Sequence, residues 1–133
     1  MIIRLTYYSK SIRPLLPSDI EQIFRVSHHN NKILNITGFL LYSNNVFLQC
    51  LEGPREAVNQ LYQKIYKDDR HDDCNIVLIS EEKERIFGPW SMGGLPPEEL
   101  VKLEVLERIS PELFRGEEIL NLLIKASKIL SHA

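Results

Sequence analysis

The chain has 133 residues, enough for one domain with a core of useful size. Hydrophobic residues make up 44% and charged residues 26%, an ordinary soluble globular mixture, and no run of 18 apolar residues is present to span a membrane. The net charge of −2 and the sequence pI of about 6.1 lack the basic surplus that charge-driven nucleic-acid binding requires.

Residues 2–9 alternate and read as a first strand, with Ile3, Leu5, Tyr7 and Ser9 on one face and Ile2, Arg4, Thr6 and Tyr8 on the other. This start lacks the basic region and long apolar core of a signal peptide, so the expected location is cytoplasmic. A loop with Pro14 and Pro17 follows. Ser18-Asp19-Ile20-Glu21 has the form of a capping box, with Ser18 at the N-cap and Glu21 at N3. The helix it opens is expected to run to about Asn31, with Ile20, Ile23, Phe24, Ser27 and Asn31 on its inner stripe. Residues 36–42 and 46–52 are apolar strands joined by a tight hairpin at Ser43-Asn44-Asn45, because Asn tolerates positive φ. Gly53-Pro54 ends that strand, and a second helix over about 55–68 turns Val58, Leu61, Tyr62 and Ile65 inward. Residues 68–73 read as a charged loop, 74–80 as a fourth strand, and Ile86 to Met92 as containing a fifth, interrupted by Gly88-Pro89.

The fold class is therefore α+β: a ferredoxin-like βαββαβ sandwich with an extra fifth strand, followed by two C-terminal helices. In that topology strands one and three are neighbours at the sheet centre, and both helices cover one face. The tail, 94–133, changes character after a first domain over 1–93. Pro96-Pro97 opens a helical stretch around 97–108, and Ser110-Pro111 opens another with Leu113, Phe114, Ile119, Leu120, Leu123, Ile124 and Ile129 as apolar positions. These helices are expected to pack on the bare sheet face or to form a subunit or partner contact.

Gln49 stands in the middle of the apolar run Val46 to Leu51. A glutamine amide buried without partners costs roughly 1–3 kcal/mol, so something polar must meet it. Tyr7 lies on the neighbouring strand, and the plainer reading is a satisfied structural Tyr–Gln pair. Asn30 and Asn31 at a helix end are common for backbone reasons. Asn31 nevertheless falls on the inner stripe, and an inward Asn beside an inward Gln could read a flat heterocycle with alternating donors and acceptors. Trp90 and Met92 share parity, so one face of a fifth strand would receive both; ordinary packing is the alternative. Arg70 and His71 can neutralise a helix C-terminus or meet an anionic ligand tail. His28 and His29 read as solvated, and Glu81-Glu82 as a charged surface turn. The four histidines show no metal-ligand spacing, and no phosphate loop, nucleophile elbow or Cys/His pair is present. Cys50 and Cys74 read as reduced thiols.

Taken together, these residues resemble the BLUF family, blue-light sensors that use a flavin. The matching segments are Arg4-Leu5-Thr6-Tyr7-Tyr8-Ser9, Asn30-Asn31, Ile36-Thr37-Gly38, Phe47-Leu48-Gln49-Cys50-Leu51-Glu52-Gly53, Asp68-Asp69-Arg70-His71 and Arg85 to Met92. They cover about residues 1–93 in order. The resemblance implies FAD, with FMN or riboflavin as alternatives, held non-covalently between the two helices above strands one and three. It makes Tyr7 the photoactive tyrosine and Gln49 the switching glutamine. It gives Asn31 a hydrogen bond to the flavin ring with Asn30 nearby, places Ser9 and Ser27 at polar pocket positions, and Ile23, Phe47 and Ile65 against the ring. Lys64, Asp68, Arg70 and His71 fall on the ribityl and phosphate side. Trp90 and Met92 match the pair whose placement changes with the signal state. Many members carry Pro where Asp69 stands and Arg where Lys64 stands; the second departure leaves FAD or FMN open.

The implied function is a photoreceptor and not an enzyme. Light drives electron and proton transfer from Tyr7, the Gln49 amide rearranges by rotation or tautomerisation, and the last strand and tail helices pass the signal to a downstream protein or a change of self-association. Neither nucleic acid nor membrane is an expected partner. The rival on the same fold is an acylphosphatase-like hydrolase using Arg13, for which the Gly-rich cradle is missing. An RRM-like RNA binder would need an open sheet face and a basic balance.

Overall fold

Successive side chains of a strand point to opposite faces, and the third strand is an almost continuous apolar run, so both faces of the sheet must be covered. The computed structural model describes residues 1–95, 99 and 110–131 and shows how this is met. The elements are β1 (Ile2–Ser11), α1 (Pro17–Leu34), β2 (Thr37–Ser43), β3 (Val46–Gly53), α2 (Arg55–Lys67), β4 (His71–Glu82), β5 (Gly93–Gly94) and, after a single 3₁₀ turn at Pro111–Leu113, α3 (Gly116–Ser131). The sheet order is β4-β1-β3-β2-β5, antiparallel except for the short pairing of β5 with β2. This is the ferredoxin-like α+β arrangement with an added edge strand.

The front face carries Leu5, Tyr7, Leu40, Phe47, Leu51 and Met92, covered by Ile20, Ile23 and Phe24 of α1 and by Val58, Leu61, Tyr62 and Ile65 of α2. The back face carries Tyr8, Phe39, Leu41, Leu48 and Cys50, covered by Ile119, Leu123 and Ala126 of α3. The last helix thus closes the second face of the sheet. Two glycines permit close approaches. A Cβ on Gly38 would run into the Cys50 carbonyl of β3, and one on Gly116 into the Val77 carbonyl of β4.

Several boundaries differ from the sequence reading. The first helix starts at Pro17, a favoured first-turn position, and it is the Asp19 carboxylate, not Glu21, that accepts the Leu16 N–H at 2.9 Å. The helix continues past Asn31 to Leu34 and stops at Asn35, whose φ of 58° is left-handed. The two-residue hairpin at Asn44 and Asn45 has positive φ at both positions, as expected. β4 starts at His71, inside the stretch read as a loop, and absorbs two register shifts against β1 on the way. The fifth strand is Gly93–Gly94; residues 86–92 are turns and bends. The expected helix around 97–108 lies, but for residue 99, outside the described residues.

One polar cluster fastens the root of that bent segment. Glu52 is fully buried on the back face of β3, beside Arg4 of β1. Its Oε2 accepts from Arg4 Nε and from the Ile86 N–H, both at 2.8 Å. Its Oε1 accepts from the Phe87 N–H at 2.8 Å and from Thr37 Oγ1 at 3.2 Å. Arg85 completes the clasp with donations to Thr37 Oγ1 and to the carbonyls of Glu52 and Asn35.

Candidate functional site

Register places Tyr7 directly opposite Gln49 and Gln49 opposite Leu40, so all three side chains meet on the front face at the sheet centre. Helices α1 and α2 flank a cleft above them. Its floor is Tyr7, Leu40, Phe47 and Gln49; its walls are Ile23, Ser27 and Asn31 of α1 and Leu61 and Ile65 of α2; Asp68, Arg70 and His71 stand at its rim.

The inner end is a chain of directed hydrogen bonds. The Tyr7 hydroxyl donates to Gln49 Oε1, and Gln49 Nε2 donates to Met92 Sδ at 3.3 Å. Burial first, then Cys74, Tyr62 and Asp68 nearby, pushes the Tyr7 pKa well above the usual phenol value. Tyr7 is therefore a firm O–H donor at neutral pH. Its ring meets Tyr62 edge-on at 5.4 Å between centroids. Asn31 is 1% exposed; its Nδ2 donates to the Ser91 carbonyl at 2.9 Å, while its Oδ1 is buried with no partner.

At the rim, Arg70 Nη2 meets Asp68 Oδ2 at 2.6 Å, and hydrogen bonding from Arg70 holds the Asp68 carboxyl below its usual range. His71 is fixed from both sides. Its Nε2 bonds the Ile65 carbonyl, which can only accept, so Nε2 carries the proton. In the neutral ring Nδ1 then accepts from Ser9 Oγ–H at 2.7 Å.

Most of the residues singled out from sequence converge here: Tyr7, Ile23, Ser27, Asn31, Phe47, Gln49, Ile65, Asp68, Arg70 and His71 line the cleft. Ser9 is fully buried and acts behind His71 rather than on the lining. Asn30 and Lys64 are exposed and lie outside the lining. Trp90 and Met92 do not share a face, because the backbone between them bends instead of extending. Met92 is buried at the front against Gln49, whereas Trp90 packs at the back, edge-on to Phe39 at 5.6 Å. Leu40 and Leu61 are lining residues that the sequence reading did not place in the site; the parity of Leu40 with Tyr42 on β2 and the inward helical position of Leu61 on α2 are the available signals. Arg13 is exposed and pairs with Asp19 at 3.8 Å, away from the lining, which leaves the hydrolase reading without its cradle.

The donor set suits a flat heteroaromatic ring. Apolar walls can sandwich its faces, a glutamine amide and an unpaired asparagine oxygen can read its polar edge, and Arg70 can meet an anionic tail at the mouth. Among the described residues no cluster of His, Cys, Asp or Glu could hold a metal ion, and no helix is long and apolar enough to cross a membrane.

Comparison with known proteins gives the same direction. The chain is 38% identical over 116 residues to photoactivated adenylate cyclase subunit alpha of Euglena gracilis, covering 86% of this chain and 11% of that protein. It is 36% identical over 113 residues to photoactivated adenylate cyclase subunit beta of Euglena longa, covering 84% of this chain and 13% of the relative. The chain thus spans only about an eighth of the length of these curated relatives. Among solved structures it is similar to BlrB, a BLUF protein in its dark state, with a TM-score of 0.83 and 36% identity, covering 98% of this chain and 96% of that one. It is also similar to BlsA in its photo-activated state, with a TM-score of 0.78 and 30% identity over 95% of this chain and 94% of that one. Residues 2–93 match the family model described as BLUF, sensors of blue-light using FAD. The chain belongs to the BLUF family of flavin-dependent blue-light sensors.

Proposed function

We propose that this chain is a light-switched sensor in which Tyr7 and Gln49 form the switch and the 90–94 segment carries its output. The observation that carries this reading is the directed chain Tyr7 O–H to Gln49 Oε1 and Gln49 Nε2–H to Met92 Sδ on the cleft floor. The unpaired Asn31 Oδ1 and the apolar walls supply the fit for the flavin ring, with Ile23, Phe47, Leu61 and Ile65 as packing surfaces and Arg70 and His71 toward the tail. Bound there, the flavin supplies blue-light absorption and an excited state that oxidises a nearby phenol.

The rest belongs to the chain. Tyr7 is held protonated by burial, and its proton already points at Gln49 Oε1, which can receive it when the phenol loses an electron. When electron and proton return, what can persist is a rearranged Gln49 amide, by rotation or tautomerisation. With the amide reversed, Nε2–H no longer faces Met92 Sδ. Met92 then loses its polar tie to the cleft, and the strain passes along a segment whose other end places Trp90 against Phe39 behind the sheet. α3 lies on that same back face, so a downstream protein, or a second copy, is proposed to read the change there. Two free cysteines suit a reducing, cytoplasmic setting. Cyclase activity, which belongs to the names of the longer relatives, is not proposed for this chain.

The test is spectroscopic. Loaded protein should be yellow, and blue light should produce a small reversible shift of its absorption to the red. Tyr7→Phe and Gln49→Leu should each keep the flavin and lose the shift. A normal photocycle in either variant would refute the assignment.

A further inference from the structure

We propose that Asn31 makes the Ser91–Gly94 segment a dark-state sensor of flavin loading, separate from the light switch. Asn31 is a two-headed residue on the last turns of α1. One head, Nδ2, donates to the Ser91 carbonyl at 2.9 Å; the other, Oδ1, is buried without a partner on a residue that lines the cleft. The orientation is fixed, since Ser91 offers only an acceptor and reversing the amide would oppose two oxygens.

An unsatisfied buried oxygen pulls its amide toward water or any donor, and here that pull acts against the bond to Ser91. A ring N–H in the cleft removes the conflict: Oδ1 accepts from it while Nδ2 stays on Ser91, and the two bonds polarise one another. Loading therefore tightens the tie on a segment that is otherwise lightly held. β5 is only Gly93–Gly94 on the edge of the sheet, paired with Phe39 and Leu40, and Trp90 adds one carbonyl bond from the Gly38 N–H at 3.1 Å. Gln49 reaches the same segment through Met92. The cleft thus touches its output strand at two adjacent residues, one by a side chain that light can rearrange and one by a side chain that only occupancy changes. By linkage, whatever undocks the segment must also loosen the flavin. Empty protein and loaded dark protein then present different surfaces to a partner, so an unloaded chain does not mimic the dark signal.

The inference rests on flavin filling this cleft but not on the photochemistry, so the experiment is run in darkness. Hydrogen exchange of the peptide 88–95 is followed with and without riboflavin, whose binding is read independently by absorbance titration; failure to bind at all would sink the proposed function itself. α3, behind the sheet, is the reference for global stabilisation and for folding of each variant. In the wild type, riboflavin should slow exchange of 88–95 by roughly 3- to 10-fold beyond α3, the worth of one net hydrogen bond. Asn31→Asp keeps an oxygen toward the cleft but cannot donate to Ser91, and where it binds riboflavin it should lose that gain. Empty Asn31→Ala should exchange 88–95 within about 2-fold of the empty wild type. The proposal is overturned if loading slows 88–95 no more than α3, if Asn31→Asp keeps the gain, or if empty Asn31→Ala already exchanges roughly 3- to 10-fold faster, which would make Asn31 a plain structural tie.

Discussion

Replacing Glu52 with Gln should destabilise the chain far more than its near-identical shape suggests. Each carboxylate oxygen accepts twice: Oε2 from Arg4 and the Ile86 N–H, Oε1 from Thr37 and the Phe87 N–H. A glutamine keeps one oxygen and puts an NH2 group at the other site. The least costly placement turns the NH2 toward Thr37, whose hydroxyl can accept it, and leaves the Phe87 N–H facing a donor. One orphaned buried amide costs about 1–3 kcal/mol. Arg4, 8% exposed, also loses its buried counter-charge and keeps the partly exposed Glu82 at 3.4 Å, so the total lies at or below the roughly 3–5 kcal/mol of a fully broken buried pair. That is a large share of the roughly 5–15 kcal/mol that holds a domain together. Urea unfolding of the flavin-free protein, followed by circular dichroism and by the fluorescence of the single tryptophan, measures it. Arg4→Met in the Glu52→Gln background should recover the charge contribution but not the Phe87 amide, giving a clear coupling energy. A loss below about 1 kcal/mol for Glu52→Gln would mean that the clasp does not hold the 84–87 root, and the reasoning fails.

Alkaline pH should weaken the fold. Burial raises the Tyr7 pKa and pushes Tyr62 and Cys50 each up to about 12, above their unfolded values. The native chain then holds protons that the unfolded chain releases from roughly pH 8.5 to 10 upward, so this stability is complete below that range and falls as pH rises. A Tm that stays level from pH 8 to 11 would contradict it. Leu123→Ala, at the fully buried centre of α3, should cost about 2–5 kcal/mol in urea unfolding if that helix is integral to the fold. Gly38→Ala should cost about 1–3 kcal/mol or more by the same assay, because the new methyl group meets a ladder carbonyl that cannot retreat without parting β2 from β3.

Elements with a clear period were legible in the sequence. β1, β3 and α2 followed from alternation, helical spacing and the Gly53-Pro54 break, and the facing of Tyr7 by Gln49 followed from topology once those were in place. Elements governed by tertiary contact were not. Asn31 looked like a helix stop, yet its side chain is engaged across the fold with Ser91, and the true stop is Asn35. Asp72 and Asp73 looked like loop residues, but an edge strand with register shifts tolerates exposed charges. Trp90 and Met92 fall on one face only if period two holds across Ser91, where the backbone bends. Glu52 stood in an apolar run at the parity of Arg4, a signal of the same kind as Gln49, and its role at the back of the sheet went unread.

The β-layer is a wall one residue thick, with the candidate cleft on one side and α3 on the other. Leu48 and Cys50 face the helix; Gln49 between them faces the cleft. A side-chain flip alone stays on its own side. The thread from Trp90 to Met92 is different, since it runs along the outer margin of β2, beside the short β5 pairing, with one bulky residue on each side. A flavin seated in the front cleft as proposed and the Trp90 indole behind the sheet would then be two optical reporters in separate compartments.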